Sequence, residues 1–494
     1  MREEDLFEAL GDVDPEMVKE ADEYSGKHDR KKGGNRKLIA AAAVCAAAAA
    51  VVISVFALRG TGLSGLFGQT AGPNDISGTG RPADLMAVVA EYPEPVAPEM
   101  SAQEFVESDL HWEWWDAYRE KMMASQDLQG GISDYYMSVM EQLLVSEDEN
   151  TVCSPLNIYI AFSMLAEVTE GETRQQILDM LGVSDIETLR ENVSVLWNAN
   201  YVDTPTLTSL LADSLWLRND MEYDAETLQL LADQYYASSF SGVPGSEEMD
   251  QSLRTWTDEN TGGLLGEYTA DMSLDPETVL AIVSTVYYRA TWSDEFSEDD
   301  TSPGIFHGTA GDTEVDMMRR TATMSVYRAD EFTSLGLALN DSGSMYFLLP
   351  DEGVDVNELT ADPQILDALT WGGDEENWSY PLVHLSVPRL RVSSRTDLLS
   401  SMRALGVTDA LDPALADFSP LTADSDGIYV SGAEHAALVE IDEYGVTGAA
   451  YTMIMDAGAA MPEDEIDFTL DRPFMFVVTG RDGSILFAGV VRNI

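Results

Sequence analysis

The composition of this 494-residue chain excludes several classes of protein. Its 27 Lys and Arg against 88 Asp and Glu give a net charge of −61, which excludes a general nucleic-acid binder because such proteins need cations to neutralise phosphates. Two cysteines exclude a disulfide framework and a cysteine-based zinc site, and 45% hydrophobic residues suffice for a sizeable core.

The first predicted element is an uncharged run from Leu38 to Leu58. As a helix, its 21 residues would span roughly 30 Å, the thickness of a bilayer core. Six Lys and Arg shortly precede it and only Arg59 follows at once, so residues 1–37 are predicted to be cytoplasmic. A cleaved signal peptide is the alternative, but a 37-residue leader is long for one. The sequence therefore predicts a single-pass cell-membrane protein with an extracellular acidic part.

Residues 59–129 are predicted to form an extracytoplasmic linker and stalk. From Gly60 to about Pro82 the composition turns to Gly, Ser, Thr, Asn and Pro, which is typical of a flexible linker. Ser108–Ala124 then has a helical pattern with three Trp. We expect these aromatic side chains to pack on the following domain rather than to bind a ligand, and spacing identifies no partner for His111.

From residue 130 onwards the pattern is that of a mixed globular domain. Amphipathic helices such as Ser133–Val145 come first, and Thr173–Gln176 has the form of a helix-capping box. Helices and apolar strands then intermix up to a terminal hairpin that pairs Phe474–Val478 with Ile485–Val491. Because the two types do not alternate regularly, we predict an α+β fold for 130–494.

No motif of a known catalytic centre appears in the sequence. The nucleophile elbow, the metalloprotease helix, the P-loop and the dinucleotide-binding fingerprint are all absent. Outside the N-terminal tail the four histidines are far apart in sequence, and the carboxylates are too numerous for any pair to stand out. The residues therefore predict no enzyme, no metal site and no cofactor.

The C-terminal segment Phe468–Val478, FTLDRPFMFVV, resembles the signature of the serpins at every defined position. Physically it is a polar bend that leads into a buried strand, with Pro473 where no ladder N–H is lost. Asn150–Ile158 is similar to the start of the helix beneath the main serpin sheet. There Ser154 and Asn157 would match polar positions of the family's shutter region, with Asn157 in place of the usual serine.

Two further positions extend the resemblance over residues 130–494. Trp292 resembles the tryptophan of the breach, where the reactive loop of serpins begins to insert, although Ser284 stands where the family usually has Asn. His435 matches the shutter histidine on the strand leading into that loop. The resemblance implies a serpin fold with three β-sheets, about nine helices and an exposed reactive-centre loop.

The segment between His435 and the signature indicates the function. Small residues dominate 442–452, which is unusual for a surface loop but suits a segment that later becomes a central strand. Alternate side chains, from Val446 onwards, would then face the core. The resemblance assigns the hinge of the loop to Glu443, Gly445, Val446, Thr447, Gly448, Ala449 and Ala450.

The resemblance implies that the protein inhibits serine proteases as a suicide substrate. A serine protease cleaves the loop and forms an acyl-enzyme. The cleaved loop inserts into the main sheet, and the distorted protease stays attached as a covalent complex. The alternative is a non-inhibitory serpin fold used as a surface binding or structural protein, which the small hinge residues disfavour. An enzyme within residues 83–130 is a third and weaker hypothesis.

Family spacing places the reactive bond between Ala459 and Ala460, with Ala460–Met461 and Met455–Asp456 as alternatives. A small residue at the bond suits an elastase-like protease, whereas the absence of Lys and Arg from Gly445 to Asp471 argues against a trypsin-like one. The expected partners are therefore an elastase-like serine protease and the membrane, with a monomeric head and no nucleic acid.

Overall fold

The computed structural model describes residues 50–55, 85–262, 269–270, 272–446 and 464–494. Helices and strands intermix along these residues, so the predicted α+β class is confirmed. The helices are α1 Ala102–Val106, α2 Asp109–Leu144, α3 Pro155–Glu167, α4 Gly171–Leu181, α5 Ile186–Asn200, α6 Ala225–Gln234, α7 Glu247–Asn260, α8 Val356–Leu359, α9 Gln364–Thr370 and α10 Leu398–Ala404.

The strands build three sheets, as predicted. The strands are β1 Ala50–Val55, β2 Met86–Val88, β3 Thr151–Cys153, β4 Val202–Asp203, β5 Leu207–Arg218, β6 Ala237–Gly242, β7 Leu280–Thr291, β8 Ser302–Gly308, β9 Gly311–Thr323, β10 Val326–Arg328, β11 Phe332–Ala338, β12 Ser344–Pro350, β13 Trp378–Ser379, β14 Leu382–Pro388, β15 Leu390–Asp397, β16 Glu434–Ile441, β17 Gly445–Val446, β18 Glu465–Thr469, β19 Phe474–Thr479 and β20 Ile485–Val491.

The main sheet has the strand order β15-β16-β1-β7-β5-β6-β2, with β17 on β7 and β4 on β5. The second sheet has the order β13-β10-β11-β12-β19-β20-β3, and the third has the order β18-β14-β9-β8. The predicted terminal hairpin is confirmed, since β19 and β20 pair antiparallel in the middle of the second sheet. One connected hydrophobic cluster joins strands of all three sheets to the helices around them.

Helix α3 lies wholly in the interior. Every one of its 13 residues is buried, which is why its sequence is apolar on all sides rather than amphipathic. Ser154 caps its N-terminus by accepting a hydrogen bond from the backbone N–H of Asn157, and Pro155 occupies the first turn, where its missing N–H costs nothing. This cap places polar side chains beneath the main sheet.

Strand β16 is buried on both faces, because it is a central strand with structure on each side of it. In the sequence, the alternation of Ala437, Val439 and Ile441 on one face is typical of a half-buried strand, but the other face, with Ala436 and Leu438, is buried as well. Helix α4 also starts earlier than expected, with Glu170 at its N-cap, so the predicted capping box at Thr173 is wrong. Gly182 does end this helix in the left-handed conformation.

Residues 85–129 pack on the part of the chain that follows them. Helix α2 runs without a break across residue 130, where the sequence predicted the stalk to end. Ahead of it, β2 pairs antiparallel with β6 and extends the edge of the main sheet. Trp114 and Trp115 pack against the hydrophobic core, as expected, whereas Trp112 is 65% exposed and does not, contrary to the prediction. His111 Nε2 lies 3.2 Å from a carboxylate oxygen of Asp341.

The apolar run at Leu38–Leu58 is described only in part. Ala50–Val55 forms strand β1, paired with β16 on one side and with β7 on the other. In this structure these six residues form a strand and not the predicted transmembrane helix, and their β-branched Val and Ile favour a strand. Residues 38–49 and 56–58 lie outside the described part of the chain. Among the residues that the structure describes, no helix has the length and hydropathy of a membrane span.

Candidate functional site

The hinge begins where β16 ends. Asp442 forms a turn, its Oδ1 accepting hydrogen bonds from the backbone N–H groups of Tyr444 (2.9 Å) and Gly445 (3.2 Å). Strand β17 then pairs antiparallel with the end of β7, Gly445 opposite Thr291 and Val446 opposite Ala290. The side chain of Val446 is fully buried. The first two residues of the predicted loop strand therefore already belong to the main sheet.

Gly445 is required for this pairing by its close approach to β7. A Cβ atom at this position would lie 2.3 Å from the carbonyl oxygen of Ala290 and 2.7 Å from the Cα of Thr291. Both neighbours are backbone atoms of a central strand and cannot move aside. Only glycine therefore lets the chain cross from β16 onto β7 at this point.

Glu443 holds the hinge through an ion pair with Arg389. The guanidinium Nε lies 2.8 Å and 2.9 Å from the two carboxylate oxygens, and Thr301 Oγ1 donates to Oε1 at 2.5 Å. Burial alone would raise the pKa of this carboxyl, but the hydrogen bonds from Arg389 and Thr301 outweigh it and the pKa is lowered. The buried carboxylate is thus ionised at neutral pH, and removing one partner would leave the other uncompensated.

Trp292, which the sequence predicts to lie at the breach, fixes the backbone between β16 and β17. Its indole Nε1 donates to the carbonyl of Asp442 at 2.9 Å, and its backbone N–H donates to the carbonyl of Tyr444 at 2.9 Å. The ring is almost completely buried. Trp292 thus binds, through its side chain and its backbone, the residues that have to move if the loop inserts further.

His435 and Ser154 join the main sheet to helix α3. The backbone N–H of Ser154 donates to Nε2 of His435 at 3.0 Å. Burial lowers the pKa of His435 to about 3, so the imidazole is neutral over the physiological range. The two predicted shutter residues therefore meet without any charge.

Asn157 and Ser284 compensate for each other. Each differs from the residue usual in serpins, and the sequence alone left the hydrogen bonding at these positions unsettled. In the structure Asn157 Nδ2 donates to Ser284 Oγ at 2.7 Å, which joins helix α3 to strand β7. Serpins usually have Ser on the helix and Asn on the strand, whereas here Asn lies on helix α3 and Ser on strand β7. The two exchanged residues therefore form a single hydrogen bond with each other.

Asp213 is a residue of this region that the sequence reasoning missed. It lies on β5 directly opposite Ser284, and its side chain is 1% exposed. Within the described residues neither carboxylate oxygen has a hydrogen-bond partner of good geometry. Burial raises the pKa of Asp213 to about 7, while the neighbouring Ser284 hydroxyl lowers it in part. One signal was available, since an Asp amid the apolar run Leu207–Leu217 is out of place.

The remaining hinge residues Thr447, Gly448, Ala449 and Ala450, and the predicted bond Ala459–Ala460, lie outside the described part of the chain. The pairing of β17 nevertheless sets a register for its continuation: residue 448 would face Tyr288, and residue 453 would face Val283. Ala50–Val55 pairs with these same β7 residues, in the same direction. Strand β1 thus occupies the place that an inserted loop would take.

In the described part of the chain, the other histidines do not gather into a catalytic or metal-binding cluster. His307 pairs with Asp312 on the surface, and His384 lies beside Thr321. Within the described residues, no group of three or more side chains could hold a metal ion. Cys153 is buried, as expected, and burial raises the pKa of its thiol.

Comparison with known proteins identifies the family. The family model of serpins, serine protease inhibitors, matches residues 131–494. The chain is 28% identical over 369 residues to Serpin-ZX of Arabidopsis thaliana, covering 70% of this chain and 93% of that protein. It is 29% identical over 377 residues to plasminogen activator inhibitor 1 of Neovison vison, covering 73% of this chain and 91% of that protein.

A solved structure agrees in fold. The thermophilic serpin tengpin in its native state superposes with a TM-score of 0.64 at 23% identity, covering 74% of this chain and 93% of that one. The residues predicted to form the hinge, the breach and the shutter lie within the matched residues 131–494. The chain therefore belongs to the serpin family.

Proposed function

We propose that the protein inhibits extracellular serine proteases as a suicide substrate, by cleavage of its loop and insertion of the loop into the main sheet. The observation that carries this proposal is the pairing of Gly445 and Val446 with the end of β7. This pairing sets the direction and register for a further strand along β7. Val446 is small and apolar, so the core accepts it without an unpaired polar group.

An elastase-like protease is the proposed target. Ala459 and Ala460, with Gly458 before them, offer only small side chains to the specificity pocket of the protease. The net charge of −61 adds long-range attraction for a basic protease, which raises the association rate at low salt. The bond that breaks belongs to the inhibitor, and the serine that forms the acyl-enzyme belongs to the protease.

We also propose that Leu38–Leu58 anchors a monomeric head to the cell membrane, with residues 1–37 in the cytoplasm. The apolar length and the preceding basic residues support this. Ala50–Val55 cannot lie in a bilayer and between β7 and β16 at the same time. In the anchored protein, then, strand β1 has left the sheet and the place of the loop strand is open.

Incubation with elastase tests the inhibitory mechanism. The full chain in detergent and a fragment of residues 83–494, which lacks β1, are each mixed with neutrophil elastase and run on a denaturing gel. A complex that survives denaturation is expected, and the mass of the released C-terminal peptide locates the cleaved bond. Cleavage without a complex would contradict inhibition and support the non-inhibitory alternative.

Changing the residue at the bond is expected to change the target. Ala459→Arg should shift complex formation from elastase to trypsin, because trypsin-like proteases need a basic residue there and the natural loop has none from Gly445 to Asp471. We expect at least a tenfold gain in the rate constant with trypsin, since a matched charge in the pocket is worth more than ~1.4 kcal/mol. The matched control is Ala457→Arg, two residues away. An equal gain from the control would show that the bond is misplaced.

A further inference from the structure

The segment between α9 and β14, residues 371–380, exposes aromatic side chains that the core does not use. We call it the aromatic loop. Trp371 is 58% exposed and Tyr380 is 61% exposed. Trp371 also adopts a φ of 57°, a left-handed conformation that side chains other than glycine rarely take. A strained backbone that presents an indole ring to solvent points to a role in binding.

The aromatic loop is held rigidly. The rings of Trp371 and Trp378 stack with centroids 4.6 Å apart and planes within 10° of parallel. Trp378 in turn donates from Nε1 to the carbonyl of Gly372 at 2.9 Å, and its strand pairs with Tyr327 of β10. A partner that binds the open face of Trp371 therefore meets a preorganised surface, which keeps the entropic cost of binding low.

The charge of the aromatic loop selects a basic partner. Asp374, Glu375 and Glu376 are exposed beside the stacked rings, and no Lys or Arg occurs from residue 371 to 380. A guanidinium or ammonium group gains from the ring face and from the carboxylates together. The complementary surface is thus rich in Arg or Lys.

The aromatic loop lies beside the point where the reactive loop re-enters the fold. The backbone N–H of Leu382 donates to the carbonyl of Asp464 at 2.9 Å, and Leu382 pairs with Glu465 on β18. Tyr380 comes only two residues before Leu382. The proposed bond after Ala459 is separated from Asp464 by a stretch of chain no longer than about 17 Å. A protease domain of ~200 residues has a radius of gyration of roughly 16 Å. A protease bound at that bond therefore also covers the point where the reactive loop joins β18.

We propose that the aromatic loop is a second contact site for the target protease, taking Arg or Lys side chains from the protease surface. This inference rests on the proposed inhibitory function and adds a determinant of target choice outside the reactive bond. The contact acts on the encounter of the two proteins, because it leaves the hinge and the main sheet untouched. It therefore raises the association rate and does not change how efficiently a bound protease is trapped.

The test compares association rate constants of full-length variants, kept in detergent, with neutrophil elastase. The test variant combines Trp371→Gly, which a φ of 57° accommodates without strain, with Asp374→Asn, Glu375→Gln and Glu376→Gln. We expect the rate constant to fall about tenfold at low salt and its salt dependence to flatten. The number of inhibitor molecules consumed per trapped protease is expected to stay the same.

A matched control carries Asp424→Asn, Asp426→Asn and Tyr429→Ala, exposed residues that precede β16 at the end opposite the hinge. Its rate constant should equal that of the natural chain. An unchanged rate constant in the test variant, with trapping intact, would overturn the second contact site. If the natural chain traps no protease, the proposed function fails by itself. The site is then judged by binding of elastase whose catalytic serine is blocked by sulfonylation: weaker binding to the test variant supports it, and equal or absent binding overturns it.

Discussion

Replacing Val446 by arginine is expected to convert the protein from an inhibitor into an ordinary substrate, which the protease cleaves and then releases by deacylation. Val446 is already fully buried against β7, so an arginine there would put an unpartnered guanidinium into the core and break the first pair on which the inserting loop strand builds. A barrier higher by ~3 kcal/mol slows insertion roughly a hundredfold. Deacylation is then faster than insertion of the loop. The covalent complex should therefore disappear from a denaturing gel, while the cleaved form of the inhibitor accumulates.

Neighbouring positions separate this explanation from a general loss of fold. Ala450→Arg, on the same face of the predicted strand, should act in the same way. Thr447→Arg is the matched control, because successive side chains of a strand face opposite sides and residue 447 would point outwards. Thr447→Arg should still trap elastase. Trapping by both Val446→Arg and Ala450→Arg would refute the insertion mechanism.

We expect the natural protein to lose stability as the pH rises from ~4 to about 7, and we expect the replacement of Asp213 by asparagine to prevent this loss. The pKa of Asp213 is about 7 in the folded protein, against ~3.9 in an unfolded chain. The folded state therefore holds a proton that the unfolded state releases, so its stabilising effect is full below pH ~4 and is lost as the pH rises through 7. At pH 8 the ionised carboxylate costs on the order of 4 kcal/mol, which the neutral amide avoids.

The free energy of unfolding in urea, followed by tryptophan fluorescence at pH 5 and pH 8, measures this effect. Asp213→Asn should be more stable than the natural protein by about 1.5 kcal/mol at pH 5, where only the unfolded carboxyl is ionised, and by about 4 kcal/mol at pH 8, where the folded carboxyl is ionised as well. Asp233→Asn, on the exposed face of α6, is the control and should change neither value. A gain of equal size at both pH values would mean that the benefit comes from packing and not from the charge.

The sequence was most informative where a motif carries its own local structure. The signature at Phe468–Val478 forms β18, the bend and β19, as its polar bend and apolar run predicted. The resemblance also predicted a hinge residue at Gly445, and the structure shows there a close backbone approach that only glycine allows. The fold of residues 131–494 therefore followed from a few short segments in the right order.

Features that depend on contacts between distant segments could not be predicted. Asp213 is one of 88 acidic residues, and only the register of β5 with β7 places it opposite Ser284. The continuity of α2 was hidden by the glycines at 130 and 131, which usually weaken a helix. Its buried residues keep helical spacing across them, from Tyr118 to Leu143, so packing holds the helix together.

If Leu38–Leu58 anchors the chain as proposed, the pairing of β2 with β6 limits how far the head can move from the membrane. Because β2 fixes the chain to the edge of β6 from Met86 onwards, only residues 59–85 separate the proposed anchor from the folded head. A Gly- and Ser-rich stretch of this length has a mean end-to-end distance of roughly 30 Å and a limit of about 90 Å. A head on so short a tether meets proteases only in the layer next to its own cell surface. Protection by such a molecule would be local, and enzymes in the surrounding fluid would escape it until they approached the cell.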